Sequence, residues 1–126
     1  MKNAFRITVV LLLLFVALTL SSCGLFKSIT VEDAKANLKS AGYEITVMSG
    51  EEYVDSSSEY PTIMSSELET YVYGKKGEDE IQLFFFYYIN DASSNYSFMN
   101  NSKLLGGQSN ELVYFGTRQA IKDCGL

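Results

Sequence analysis

The run from Glu80 to Ile89 constrains this chain more than any other segment. Ile81, Leu83, Phe85, Tyr87 and Ile89 alternate with Gln82, Phe84, Phe86 and Tyr88, and successive side chains of a strand point to opposite faces. Both faces of such a strand are apolar or aromatic, whereas a strand half-covered by helices alternates with polar residues. The set from Ile81 to Ile89 belongs to the main core. The opposite set has two readings. Either the segment 50–66 or a helix folds over it, or it is an exposed aromatic patch for a protein partner or an apolar ligand. Such a patch would comprise Phe84, Phe86 and Tyr88, together with Tyr71 and Tyr73 of the preceding run, whose hydroxyls tolerate a half-wet surface.

Local patterns on either side of this run fill in the domain. Thr30 with Asp33 forms a variant capping box. Val31, Ala34, Leu38 and Ala41 recur at helical spacing before Gly42, so the first helix spans 31–41. Tyr43, Ile45 and Val47 alternate with Glu44 and Thr46 as a half-buried strand. Residues 50–66 carry three consecutive serines and the sole proline, Pro61. They read as a loop, with room for a short helix over 51–56. Glu67–Lys75 and Glu80–Ile89 form a hairpin about Lys76-Gly77-Glu78-Asp79. Asp91 caps a second helix to Asn101, Gly106-Gly107 marks a turn, Glu111–Phe115 is the last strand, and Thr117 caps a terminal helix. Strands bounded by segregated helices define an α+β class: a small two-layer domain with a mostly antiparallel sheet of about four strands and helices packed on one face.

Ahead of this domain, Lys2 and Arg6 precede an apolar stretch from Ile7 to Leu20 whose only polar members are Thr8 and Thr19. That stretch is short for a membrane span and has the proportions of a signal-peptide core. It ends in Leu20-Ser21-Ser22-Cys23. The whole segment resembles the signal peptide and lipobox of bacterial lipoproteins. The resemblance implies cleavage before Cys23, a diacylglyceryl group on its sulfur, residues 1–22 as signal, 23–28 as a lipidated tether and 29–126 as a single domain. It also implies an extracytoplasmic protein held on the cell membrane or, in a two-membraned cell, on the outer membrane, because Gly24 is not the aspartate associated with inner-membrane retention. The remaining reading is an uncleaved N-terminal anchor.

Charge points the same way. Of ten basic residues, Lys2 and Arg6 lie in the N-terminal segment, whereas all fifteen acidic residues lie beyond residue 22; the remainder therefore carries eight positive against fifteen negative charges, a formal −7. An acidic domain repels phosphate backbones and anionic head groups, so no nucleic-acid partner is expected, and attachment falls to the acyl chains. With Cys23 lipidated, Cys124 has no partner for a disulfide and reads as a small residue packed near the end of the terminal helix.

Val113-Tyr114-Phe115-Gly116-Thr117 followed by Ala120-Ile121-Lys122-Asp123 resembles the C-terminal signature of small uncharacterised bacterial lipoproteins, with Phe115 in place of a tyrosine. That family implies no activity. Physically, the motif is a strand, a glycine that permits a sharp turn, and a capped helix.

The chain contains no histidine, which excludes Ser-His-Asp and Cys-His catalysis and imidazole zinc sites. Carboxylates alone can hydrolyse glycosides. The candidates are Glu51-Glu52 with Asp55, and Glu78-Asp79-Glu80 beside Lys75 and Lys76, where a solvated turn is the simpler account. Neither has the ligand alternation of a calcium loop. No catalytic, metal or cofactor residue is assigned. The sequence thus leads to an anchored lipoprotein that binds, or serves the cell envelope as an accessory, with the membrane and an envelope protein as partners. The alternative is a cell-envelope enzyme or enzyme inhibitor.

Overall fold

The computed structural model describes residues 28–126; Cys23, the signal segment and most of the tether lie outside the described residues. Four helices and five strands follow in the order α1 (Val31–Ser40), β1 (Glu44–Ser49), α2 (Gly50–Ser56), β2 (Leu68–Lys76), β3 (Asp79–Phe86), α3 (Ile89–Phe98), β4 (Leu105–Ser109), β5 (Leu112–Gly116) and α4 (Arg118–Cys124). The strands form one antiparallel sheet in the order β1-β2-β3-β5-β4. The class is α+β with a small antiparallel sheet.

Helices cover both faces of that sheet. On one face, Ala34 and Leu38 of α1 and Ala120 and Cys124 of α4 pack with Tyr43, Val72, Ile81, Leu83, Phe85 and Leu112. On the other, Tyr53 of α2, Ala92 of α3, and Tyr60 and Ile63 of the intervening segment pack with Leu68, Tyr71, Phe84, Phe86, Val113 and Phe115. The expectation of helices on one face is corrected accordingly. The cause is β3, which presents apolar side chains both ways and lies at the centre of the sheet.

Local chemistry sets the element ends. The Thr30 hydroxyl accepts the Asp33 N–H at 3.1 Å and the Asp33 carboxylate accepts the Thr30 N–H at 3.4 Å, which closes the capping box of α1. Ser49 caps α2, the short helix allowed for in the 50–66 segment. Thr117 caps α4, accepting from Ala120, and its hydroxyl donates to Asp79 at 2.9 Å, tying helix to hairpin. The β2–β3 hairpin turns through Gly77-Glu78, with Gly77 at φ +61°.

Four local readings change. β3 stops at Phe86, so Tyr87 and Ile89 leave the core, where the alternation had put them, for solvent. The second helix starts at Ile89, which puts Asp91 in its first turn and not at the cap. Val47 is exposed on the edge strand β1. Gly106 and Gly107 lie within β4 and make no turn. There they face Phe115 and Tyr114 of β5, whose rings occupy the space a side chain would take. A Cβ on Gly106 would stand 2.6 Å from Phe115 Cε1, and one on Gly107 would stand 2.4 Å from the Tyr114 hydroxyl. Aromatic rings laid over edge glycines are a known device for strengthening such strands. The turn is made by Asn110-Glu111, with Asn110 at φ 52°.

Candidate functional site

The five residues of the expected aromatic patch are separated by the fold. Phe84 is fully buried, with the rings of Tyr53, Tyr60 and Tyr71 at centroid distances of 5.4, 5.3 and 5.1 Å. Phe86 and Tyr71 are buried in the same cluster. Tyr73 is half-buried, and Tyr88 is exposed at the N-cap of α3. The cover is the segment 50–66 and α3, so Phe84, Phe86 and Tyr71 form no open surface and the patch is corrected to a core. Tyr53 and Tyr60 supply the lid that the ring-rich face of β3 requires, because edge-on and offset ring contacts favour aromatic partners.

A cleft of about 410 Å³ opens on this face, between the segment carrying Glu59 and the loop from Asn101 to Leu104. Its floor is the β2–β3 hairpin. The register sets Tyr73 opposite Gln82 and Lys75 opposite Glu80. The Tyr73 hydroxyl reaches diagonally and donates to Glu80 Oε2 at 2.8 Å. Gln82 is only 7% exposed, an amide set among rings. Both of its ends are held: the Tyr60 hydroxyl donates to Oε1 at 3.1 Å, and Nε2 donates to Glu59 Oε2 at 3.0 Å. Asn101 extends the network. Its Nδ2 donates to the Tyr60 oxygen at 3.1 Å, while its Oδ1 accepts the N–H groups of Lys103 and Leu104 and so shapes the loop that forms the wall. Satisfied buried networks of this kind hold their members in one arrangement.

The electrostatics follow from burial. Loss of water pushes the Tyr73 hydroxyl up to about 12, with its hydrogen bond to Glu80 adding to the rise. Burial raises Tyr60 and Tyr71 as well. All three stay protonated through neutral pH, and Tyr60 and Tyr73 act as hydrogen-bond donors. The carboxylates of Glu59 and Glu80 both line the cleft, with Lys103 as a cation on its rim. Two anions against one cation, beside the rings of Tyr71 and Tyr73, make a surface suited to a positively charged or donor-rich group.

Sequence reasoning missed most of this site. Glu80 read as part of a solvated turn, yet it is partly buried and bonded to Tyr73. Glu59, Asn101 and Lys103 gave no local signal, because loops bring them in from far along the chain. Gln82 did give one: it is the sole polar side chain between Ile81 and Phe86. The second acidic set, Glu51-Glu52 with Asp55, is exposed on α2. Cys124 is fully buried in the core of the opposite face, well removed from the cleft. Among the described residues, no three His, Cys, Asp or Glu side chains are grouped to hold a metal ion, and no helix is long and apolar enough to cross a membrane. No family model matches the chain, and no curated protein or solved structure is found to be similar to it.

Proposed function

We propose that this protein is an extracytoplasmic lipoprotein, anchored by acyl chains on Cys23, whose domain binds a small polar ligand and carries out no catalysis. The observation that supports binding is Gln82. Burying an amide costs free energy unless both ends are paired, and this chain pairs both through Tyr60 and Glu59 at the floor of a cleft. Paired in this way, Gln82 fixes Tyr60 and Glu59 beside the cleft. The ligand chemistry that fits the carboxylates of Glu59 and Glu80 beside tyrosine rings is an organic cation, a primary or quaternary amine. The anchor is supported by Leu20-Ser21-Ser22-Cys23 following its apolar run.

Both halves of the reading are tested separately. Labelling of cells with a palmitate analogue should mark the wild type and leave Cys23→Ala unlabelled; equal label on the two overturns the anchor. For the cleft, titration with choline and with putrescine should raise the melting temperature of the wild type. The paired variant Glu59→Gln/Glu80→Gln, which keeps the hydrogen-bonding shape, should lose that response. A wild type that responds to neither amine overturns the ligand class.

A further inference from the structure

The chain enters the described domain at the end of the sheet where β2 begins and β3 finishes. Ser28 is hydrogen-bonded to Asn110 in the β4–β5 turn, and Ile29 and Val31 pack against the core that contains Phe85. Ser28, Ile29 and Val31 line a shallow cleft there together with Phe86 and Tyr87. The residues that follow are unusual for an exposed connection. Tyr87, Tyr88 and Ile89 are consecutive and are 52%, 70% and 47% exposed. Met64, 55% exposed, is tied to the same residue as Tyr87: the Glu67 carbonyl oxygen accepts the Tyr87 N–H at 3.0 Å and its Oε2 accepts the Met64 N–H at 3.3 Å.

We infer that this end of the domain is its membrane-facing surface, and that Tyr87, Tyr88 and Ile89 settle into the head-group layer of the bilayer to which the protein is anchored. The inference rests on the reading of Cys23 as the lipid-bearing residue. Residues 24–27 alone separate Cys23 from Ser28, so even a fully extended chain sets Ser28 within about 18 Å of the anchor. The hairpin turn at Gly77-Glu78 lies a strand length further away, about 26 Å for the eight residues of β3. A tether this short keeps the entry end near the bilayer, and the side chains presented there decide how the domain settles on it.

The side chains at the entry end suit that position. Tyrosine has an apolar ring and a polar tip and favours the membrane–water interface, while isoleucine and methionine favour the hydrocarbon beneath it. Glu69 and Glu111 line the cleft with Tyr87, Glu67 is bonded to Tyr87 and Asp91 follows Ile89 by two residues, four acidic side chains against Lys27 of the tether, so anionic head groups oppose the contact and apolar insertion drives it. Such an attachment is weak by itself. The acyl chains hold the protein on the membrane, and the patch fixes which way the domain faces. That orientation turns the Glu59–Glu80 cleft, on the hairpin half of the sheet, away from the lipid.

The chain contains no tryptophan, so single introduced tryptophans report on depth. The full lipidated protein carrying Tyr88→Trp, Lys75→Trp or Phe98→Trp would be reconstituted into phosphatidylcholine vesicles with brominated acyl chains. Phe98 is 71% exposed, a match for Tyr88 in exposure, and lies at the far end of α3. Emission from position 88 should be quenched several-fold more than from positions 75 and 98, and the difference should shrink when phosphatidylglycerol is added. Flotation of the vesicles separates the two ways to fail. Protein that does not float overturns the lipid anchor and this inference with it. Protein that floats with equal quenching at the three positions, or with none at position 88, overturns the orientation alone.

Discussion

Phe84 and Phe85 are adjacent in the chain and lie in separate cores, Phe84 packed under Tyr53, Tyr60 and Tyr71 and Phe85 facing the α1 and α4 side of the sheet. Both faces of β3 therefore carry weight in stability. Phe84→Ala and Phe85→Ala should each cost about 3 to 5 kcal/mol, as large-to-small core changes do. Phe86→Ser should cost a comparable amount, since it also puts a hydroxyl into the cluster around Leu68. Urea melts of residues 28–126 measure all three. A loss below about 1 kcal/mol for Phe86→Ser would mean that the face under α3 is open.

Gly50 begins α2 directly against the Leu68 backbone. A Cβ there would stand 1.7 Å from the Leu68 carbonyl oxygen, and backbone cannot swing aside as a side chain can. Gly50→Ala should therefore cost about 1 to 3 kcal/mol or more by overpacking, although alanine is the better helix former. Gly77→Ala serves as comparison: nothing lies near its Cβ, and the cost comes from its φ of +61°. Equal melting midpoints for wild type and Gly50→Ala would overturn the close approach of α2 to β2.

The Tyr53 hydroxyl is buried and makes no hydrogen bond of ordinary geometry, with the Ser57 side chain close by. A buried polar group left unpaired costs about 1 to 3 kcal/mol, so its removal should be neutral or favourable. Tyr53→Phe keeps the ring contacts with Tyr71 and Phe84 at 4.4 and 5.4 Å. We expect its stability to match or exceed that of the wild type by up to about 1 kcal/mol. A clear loss in the same urea melts would refute this.

Burial pushes the Cys124 thiol up to about 12, whereas an unfolded cysteine titrates near about 8.5. Between those values the unfolded chain has released a proton that the folded one keeps, so stability is complete below about pH 8.5 and declines as pH rises toward 12. Tyr73, raised to about 12, adds a loss of the same sign above about pH 10. The melting temperature should be level near neutral pH and fall above about pH 9, with Cys124→Ala showing a shallower decline over the first unit of that fall. A thiol reagent should modify native Cys124 only at the rate of unfolding. Fast modification at neutral pH would contradict its burial.

The central strand, the hairpin with its Gly77 turn, the capping box at Thr30 and the Thr117 cap were legible because each depends on residues close together in sequence. The two-sided apolar pattern of β3 allowed either cover on both faces or an exposed aromatic patch. It did not say what the cover is. The serine-rich 50–66 segment shows no periodicity, and Tyr60 and Ile63 become core residues only because the chain folds them across the sheet. β4 was hidden for a related reason. Gly-Gly signals a turn locally, and only rings from β5 across the ladder make it a strand.

The sequence by itself determined the α+β class, a mostly antiparallel sheet with β2 and β3 as a hairpin, and the acidic character of the domain, since alternation and charge are properties of neighbouring residues. Tertiary structure decided that Phe84, Phe86 and Tyr71 are core and not surface, and that Tyr87, Tyr88 and Ile89 face solvent beside the entry of the chain. It also decided that Glu59, Glu80, Gln82 and Asn101 meet in one cleft. The physical reason is separation along the chain: Asn101 reaches Tyr60 across 41 residues, and no local propensity encodes which distant loop will satisfy a buried amide.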